Sequence, residues 1–376
     1  MNRIVYVGID VHSTNFTFCS LEPVFGGDDR IFARMQMQPN IRSVEKYIKN
    51  IKKELGYDVD VICGYEAGCF GYTLNRQLAS IGIKCQILAP STMSMPNGKR
   101  RKTDHRDAEC IARNMAHNDC SYVNVPTQND EQIKDYIRMR DDHKTALKKI
   151  KQQISSFCLR HGYNYPGRSN WTNAHLKWLY GLELETLNRE ILNEYLQTYE
   201  YHVDRIERFD NRINELASMD NYEEQVKKLR CFLGIKTVTA LALIVETGDF
   251  TRFRKGNLYA AYLGLIPGEE SSGADINHKR ISKAGNVHLR KLLTEASQGI
   301  CKGKIGQKSK ALKARQRGND SEVIAYADKA NERLRRKYYR MIQRGKPRNV
   351  AVTAISRELA CFVWGMMTGN IREVLA

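Results

Sequence analysis

"RIVYVGIDVHSTNFTFCS", residues Arg3 to Ser20, decides how the first part of the chain folds. Ile4–Val5–Tyr6–Val7–Gly8–Ile9 is apolar and largely β-branched, so it reads as a buried strand, and it ends on a carboxylate, Asp10. A lone acid at a buried strand end is costly unless it binds a metal ion or closes a hydrogen-bonded turn. The choice depends on what else the chain brings to that place.

Outward from this stretch, strand signals recur at Phe16–Leu21 and Ile31–Met37. A helix is predicted from about Ser43 to Leu55, with Val44, Tyr47, Ile48 and Ile51 on one face. "DVDVICGYE" is a second β-branched run, ending on Glu66. A helix around Tyr72–Ala79, the strand "IKCQIL" and the basic loop "NGKRRKTDHRDAECIARNMAHN" follow. This order predicts a mixed α/β sheet over residues 1–125. From 126 to 222, apolar residues such as Ile133, Ile137, Ile150, Ile154, Ile206 and Ile213 recur at helical spacing. They predict two long amphipathic helices, a spacer or coiled-coil pair suited to dimerisation, interrupted by "HGYNYPGRSNW". Residues 223–376 read as mainly α. "VKKLRCFLGIKTVTALALIVETGDF" is predicted to form two helices about a glycine turn, like a helix-hairpin-helix. Ser321 to Leu375 reads as two helices split at "RGKPRN". No internal repeat is present.

Charge is segregated. The chain carries 60 Lys and Arg against 42 Asp and Glu, a net charge of +18. Between Asn277 and Arg348 there are 21 Lys and Arg against 5 Asp and Glu. That pattern predicts a polyanionic partner, nucleic acid before membrane, because no helix with a wide apolar face accompanies the basic run. "LACFVWGMM" is too short an apolar run to span a bilayer. Ten scattered cysteines without a CxxC pair argue against zinc, and with no signal-peptide pattern they predict free thiols in the cytoplasm.

Four acids stand out. Asp10 and Glu66 end strands; Asp104 and Asp107 open a helix in "KTDHRDAECIAR". A spacing of three puts the last two on one face, about 5–6 Å apart. Singly, each has an ordinary explanation, since acids favour a first helical turn. Together, four carboxylates would repel unless divalent cations held them, and oxygen ligands select Mg²⁺ or Mn²⁺. Two such ions, about 3.5–4 Å apart, support in-line displacement at phosphorus. Lys99, Arg100, Arg101, Lys102 and Arg106 would then hold a nucleic-acid backbone, their bland alternative being a solvated loop. Asp60 and Glu109 lie beside this set and are left out of it.

"GIDVHS", "YEAG" and "KTDHRDA" resemble the DEDD signature of the Piv/MooV family of transposases and site-specific DNA invertases, the insertion-sequence one-hundred-and-ten group. The resemblance implies a RuvC-like, that is ribonuclease H-like, N-terminal domain with Asp10 as first metal ligand at its centre. It continues in "GLIPGEESSGADINHKRISKAGNVHLRKLL", which is similar to the family's C-terminal transposase domain: a serine before a glycine, Ser272–Gly273, then a K-x-G-N-x-x-x-R segment, Lys283, Gly285, Asn286 and Arg290. The family implies that Ser272 is a nucleophile forming a covalent link to DNA; Ser271 is its neighbour. Read from residues alone, "SSG" is an ordinary turn. Lys279, Arg280, Lys283, Asn286, Arg290 and Lys291 would bind nucleic acid and steady charge on the scissile phosphate. A serine hydroxyl needs a base or metal to activate it. His278 and His288 form no triad pattern and read as phosphate contacts or surface residues, so activation is expected from the acidic cluster. The resemblance further implies guidance by a structured bridge RNA that pairs with donor and target DNA, and a dimeric or tetrameric assembly.

Rival readings are a site-specific invertase of the same family, a metal-dependent junction-resolving nuclease using water, and a non-enzymatic scaffold. The scaffold leaves four acids without purpose. A sugar-kinase-like phosphate loop at "GIDVHST" is disfavoured because His12 stands where glycine would let phosphate approach.

Overall fold

The computed structural model describes residues 3–24, 26–56, 58–94, 103–272 and 275–371, with the backbone alone for 269–272 and 275–279. The chain divides into two compact units, Met1–Val125 and Pro126–Ala376.

The first unit is built on a five-stranded sheet. Its strands are β1 (Ile4–Val11), β2 (Phe16–Glu22), β3 (Arg30–Met37), β4 (Asp60–Glu66) and β5 (Lys84–Leu88), in the spatial order β3-β2-β1-β4-β5. β1 and β2 pair antiparallel, as do β2 and β3; β1 and β4 pair parallel, as do β4 and β5. This mixed sheet fits the RuvC-like domain that the signature implies. Helices cover both faces, as parallel pairs require. One face carries Val5, Val7, Ile9, Cys63 and Tyr65 and is covered by α1 (Ile41–Leu55) and α2 (Thr73–Ser80). Val44, Tyr47, Ile48 and Ile51 are the buried stripe of α1, as their spacing predicts. The other face receives α3 (Asp104–Ala116).

The second unit is helical. α4 (Gln128–Arg160) and α6 (Thr186–Ala217) are joined through the short α5 (Asn173–Tyr180). At one end of the pair Ile154 and Phe157 pack with Leu192 and Leu196. At the other, Ile133 and Ile137 share a core with Ile213 and Ala217, so the two helices run antiparallel. That same core takes in α7 (Asp220–Leu229), α8 (Thr237–Thr247), α9 (Gly256–Tyr262), α10 (Val287–Cys301), α12 (Ser321–Gln343) and α13 (Arg348–Thr368). α11 (Lys310–Gln316) lies between α10 and α12 in the chain. α13 is long and apolar enough to cross a membrane by length and composition, but Ile355, Leu359, Ala360 and Val363 are buried inside the unit. It is a core helix.

A β-hairpin, β6 (Pro267–Ser272) with β7 (Asp275–Ile281), interrupts the helices. "PGEESS" lacks the β-branched and aromatic residues that signal a strand, so the hairpin is not legible from composition. The glycine turn between α7 and α8 is held from within: the Leu233 N–H donates to Asn331 Oδ1 (2.9 Å), and Gly234, at φ 92°, leaves no room for a Cβ against the Ala296 carbonyl.

Candidate metal centre

Residues at even positions of β1 and β4 face α3. Gly8 and Gly64 are the reason the helix sits close: a Cβ at Gly8 would overlap the Ala108 carbonyl oxygen, and one at Gly64 would overlap Met115 Sδ. The sheet-facing stripe of α3 is Ala108, Ile111, Ala112 and Met115, all buried. One turn before Ala108 the same stripe ends on Asp104. On the strand, two residues beyond Gly8, the same face carries Asp10. The close approach that glycine and alanine allow therefore brings the two acids together.

Further contacts fix the helix. Arg34 donates to Glu109 (2.6 Å), and Arg113 donates to Glu109 (3.1 Å) and to Asp29 (2.5 Å), whose side chain is only 3% exposed. Asn114 accepts from the Ser94 N–H (2.7 Å) and donates to the Ser94 carbonyl (3.0 Å), tying down the segment ahead of α3. Glu109, left out of the acidic set above, is thus a clamp for the helix.

Asp10, His12 and Asp104 each offer a ligand atom, and these atoms lie within 4.8 Å of one another. His12 Nε2 stands 3.2 Å from Asp10 Oδ2. Burial, with Asp107 and Asp104 nearby, holds the Asp10 carboxyl above its ordinary range, against the opposing pull of His12. Asp10 feels Asp107, which opens the same helix as Asp104. Glu66 ends β4. The parallel pairing runs to Ile9 opposite Tyr65, so Glu66 is the next position beside Asp10 and shares its face. Glu66 is exposed, and the close group does not include it.

The donor set is rich in carboxylate oxygen with one imidazole nitrogen, which suits Mg²⁺ or Mn²⁺. An ion there would offset the burial and the repulsion from Asp107 and Asp104 that together raise the Asp10 pKa. His12 joins the group without a ligand motif of its own; its one signal in the sequence is its place two residues after Asp10, past the end of the strand.

The second set of expected residues lies in the other unit. Ser272 ends β6, and its backbone pairs with Asp275 across the hairpin. Lys99, Arg100, Arg101 and Lys102, and the side chains of Ser271, Ser272 and Lys279, lie outside the described residues. Arg106, Arg280, Lys283 and Lys291 are exposed. Asn286 and Arg290 have partners inside the fold. Asn286 caps α10, accepting from the Leu289 N–H (3.0 Å), and donates to Glu246 (2.8 Å). Arg290 donates to the carbonyls of Leu263 (2.8 Å) and Ala284 (3.3 Å). Gly285, at φ 80°, abuts the Tyr262 carbonyl, where no Cβ fits.

His288 is not a surface residue. Its Nδ1 lies 2.5 Å from Glu246 and its Nε2 3.1 Å from Asp141. The Glu246 side chain is fully buried and also accepts from Arg138 (3.0 Å). Burial opposes both charges, but the partners win: His288 is raised to about 9 and Glu246 lowered to about 2. Arg140 forks onto Asp210 (2.8 and 3.1 Å) and reaches Asp141 (3.0 Å). This network joins α4, α6, α8 and α10. Its sequence signal is Glu246, a lone acid in the apolar helix "TVTALALIVET".

Comparison with known proteins finds two family matches along the chain. Residues 7–162 match the DEDD transposase model of the IS110 group, described as "Transposase", and residues 226–312 match "Transposase IS116/IS110/IS902 family". A putative transposase, y4qE, of Sinorhizobium fredii is 31% identical over 97% of this chain and 88% of its own length. The transposase for insertion sequence element IS1533 of Leptospira borgpetersenii is 32% identical over 90% of this chain and 96% of its own. The Thermus thermophilus RuvC structure aligns with 32% of this chain and 99% of its own at 11% identity and a TM-score of 0.22. On the two family matches and the near full-length relatives, the chain belongs to the IS110 family of transposases, enzymes that cleave DNA and transfer its strands.

Proposed function

We propose that this transposase cuts and rejoins DNA through a phosphoserine intermediate on Ser272, assisted by divalent metal at Asp10, Glu66, Asp104 and Asp107. The observation that carries the reading is the convergence of Asp10, His12 and Asp104 within 4.8 Å, with Asp107 acting on Asp10. A divalent ion there, Mg²⁺ or Mn²⁺ and in the fullest form a pair, would stabilise charge on the phosphoryl oxygens and ease deprotonation of the attacking group. The carboxylates hold their positions through the Gly8–Ala108 approach and the Glu109 clamp.

The serine step balances as a transesterification. The Ser272 oxygen forms a bond to phosphorus as the bond from phosphorus to one sugar oxygen breaks. The serine proton leaves as that sugar oxygen gains one. Rejoining reverses this, with the hydroxyl of a new strand end displacing Ser272. Arg106, Arg280, Lys283 and Lys291, all exposed, supply cations for the backbone, together with Lys99 to Lys102 and Lys279. Asn286 and Arg290 act by shaping the turn that leads into α10. In this reading a structured bridge RNA pairs with donor and target DNA, the long helices of residues 126–222 serve as a spacer between copies, and the active assembly is a dimer or tetramer. The net charge of +18 fits a protein that holds two kinds of nucleic acid.

The test is denaturing electrophoresis of purified protein with DNA and candidate guide RNA. A covalent protein–DNA adduct is expected, lost in Ser272→Ala and kept in Ser271→Ala. Cleavage without any adduct would instead identify water as nucleophile and the protein as a metal-dependent nuclease.

A further inference from the structure

A cleft of about 1070 Å³ opens in the second unit among the base of the β6–β7 hairpin, α12 and α13. Its floor is apolar: Leu265, Ile281, Val350, Ala354 and Phe362 line it. Its rim is cationic, with Arg280, Lys283 and Arg357 beside the hairpin and α13, and Arg333 and Lys337 on α12. A smaller cavity of about 410 Å³ adjoins it, shares Arg333 and Lys337, and adds Arg340 and Arg344.

Arg333, Lys337, Arg340 and Arg344 are spaced by four, three and four residues. At 3.6 residues per turn the first three form a single stripe along α12, and Arg344, which caps the helix, extends it to about 16 Å at 1.5 Å per residue. Among the described residues one carboxylate, Glu358, lies with these seven cations. It accepts from Arg333 and from Lys337 (both 2.5 Å), holding their heads at the rim and offsetting one of the seven positive charges.

An apolar floor beneath a row of fixed positive charges is the wrong chemistry for a duplex alone, whose bases are stacked away. It is the chemistry that single strands meet: phosphates on cations and an unstacked base against apolar side chains. We infer that this cleft binds an unpaired nucleic-acid strand, its phosphates along the α12 stripe and at least one unstacked base on the Val350–Phe362 floor. The inference rests on the strand-transfer reading only for its consequence: the cleft lies at the base of the hairpin, about 17 Å of strand from Ser272 at its turn, so an unpaired strand held there reaches the expected nucleophile by running along the hairpin.

The test uses the full chain and single-stranded oligonucleotides carrying a photoreactive thiobase, as DNA in one arm and RNA in the other, with blunt duplex as the third. Two variants probe the cleft: Val350→Trp, at a residue 52% exposed, fills the floor, and Arg340→Gln removes one charge of the stripe. Crosslinks are expected on residues 350–362, lost at least tenfold in Val350→Trp with duplex binding unchanged. Arg340→Gln is expected to lower the slope of log affinity against log salt by about one. The preference between the DNA and RNA arms tells which strand it takes. Crosslinks elsewhere, or Val350→Trp weakening duplex and single strand alike, would overturn the proposal, as would capture of an acidic peptide in place of the oligonucleotide. Retained crosslinks in a protein that forms no adduct would overturn the phosphoserine reading and leave the cleft standing.

Discussion

Gly8 and Ala108 meet backbone to backbone: the strand residue has no Cβ, and the helix carbonyl occupies the place where one would lie. This contact sets the distance between the sheet and α3, and so between Asp10 and Asp104. The acids are two residues and one helical turn beyond it, on the two elements it joins.

Gly8→Ala therefore tests the geometry away from the chemistry. The methyl must push α3 outward against the Glu109 clamp. Overpacking of this kind costs about 1–3 kcal/mol. Thermal denaturation should show that loss, and strand cleavage should fall by more than the loss of folded protein explains, because the ligand atoms separate. Unchanged cleavage in a destabilised Gly8→Ala would show that the site does not depend on this approach.

His12 adds a nitrogen donor to an oxygen set. Nitrogen favours Mn²⁺ over Mg²⁺ by the ordinary order of ligand preference. His12→Ala should weaken Mn²⁺ binding more than Mg²⁺ binding, read by calorimetry with each metal alone. A nitrogen coupling in the spectrum of bound Mn²⁺ should vanish in the variant. Equal weakening of both metals would assign His12 to orienting Asp10 alone.

The Glu246–His288–Asp141 network makes stability depend on pH. His288 is raised from 6.5 to about 9, so its contribution is full below about pH 6.5 and is lost as pH rises through 9. Glu246 is lowered from 4.5 to about 2, so its contribution is present above about pH 4.5 and is lost as pH falls through 2. Melting temperature should be highest between these limits and fall from pH 6.5 to 9. The histidine term is on the order of 3 kcal/mol at most. His288→Gln should be less stable at pH 6 and should flatten the alkaline limb.

The strands, their terminal acids and the paired helical acids are legible in the sequence because they rest on local signals: β-branched runs, a period of 3.6, a spacing of three. What stayed hidden depends on contacts between distant segments. Gly8 and Gly64 read as ordinary strand glycines until α3 lies on them. Asn286 and Arg290, in a basic run, read as nucleic-acid contacts; the acid that takes Asn286 is forty residues away on α8. His288 likewise reads as surface until Glu246 and Asp141 close on it. The hairpin that ends in Ser272 carries no strand composition at all; its pairing is supplied by β7.

The central claim is that Asp10 and its neighbours hold a divalent ion. Mn²⁺ titration of the full chain, followed by electron paramagnetic resonance, tests it most directly. The account predicts tight binding in the parent protein and in Asp60→Asn, an exposed acid at the opposite end of β4 from Glu66. It predicts at least a tenfold loss in Asp10→Asn and in Asp104→Asn. Binding that survives both of these substitutions, or is abolished only by Asp60→Asn, would contradict it.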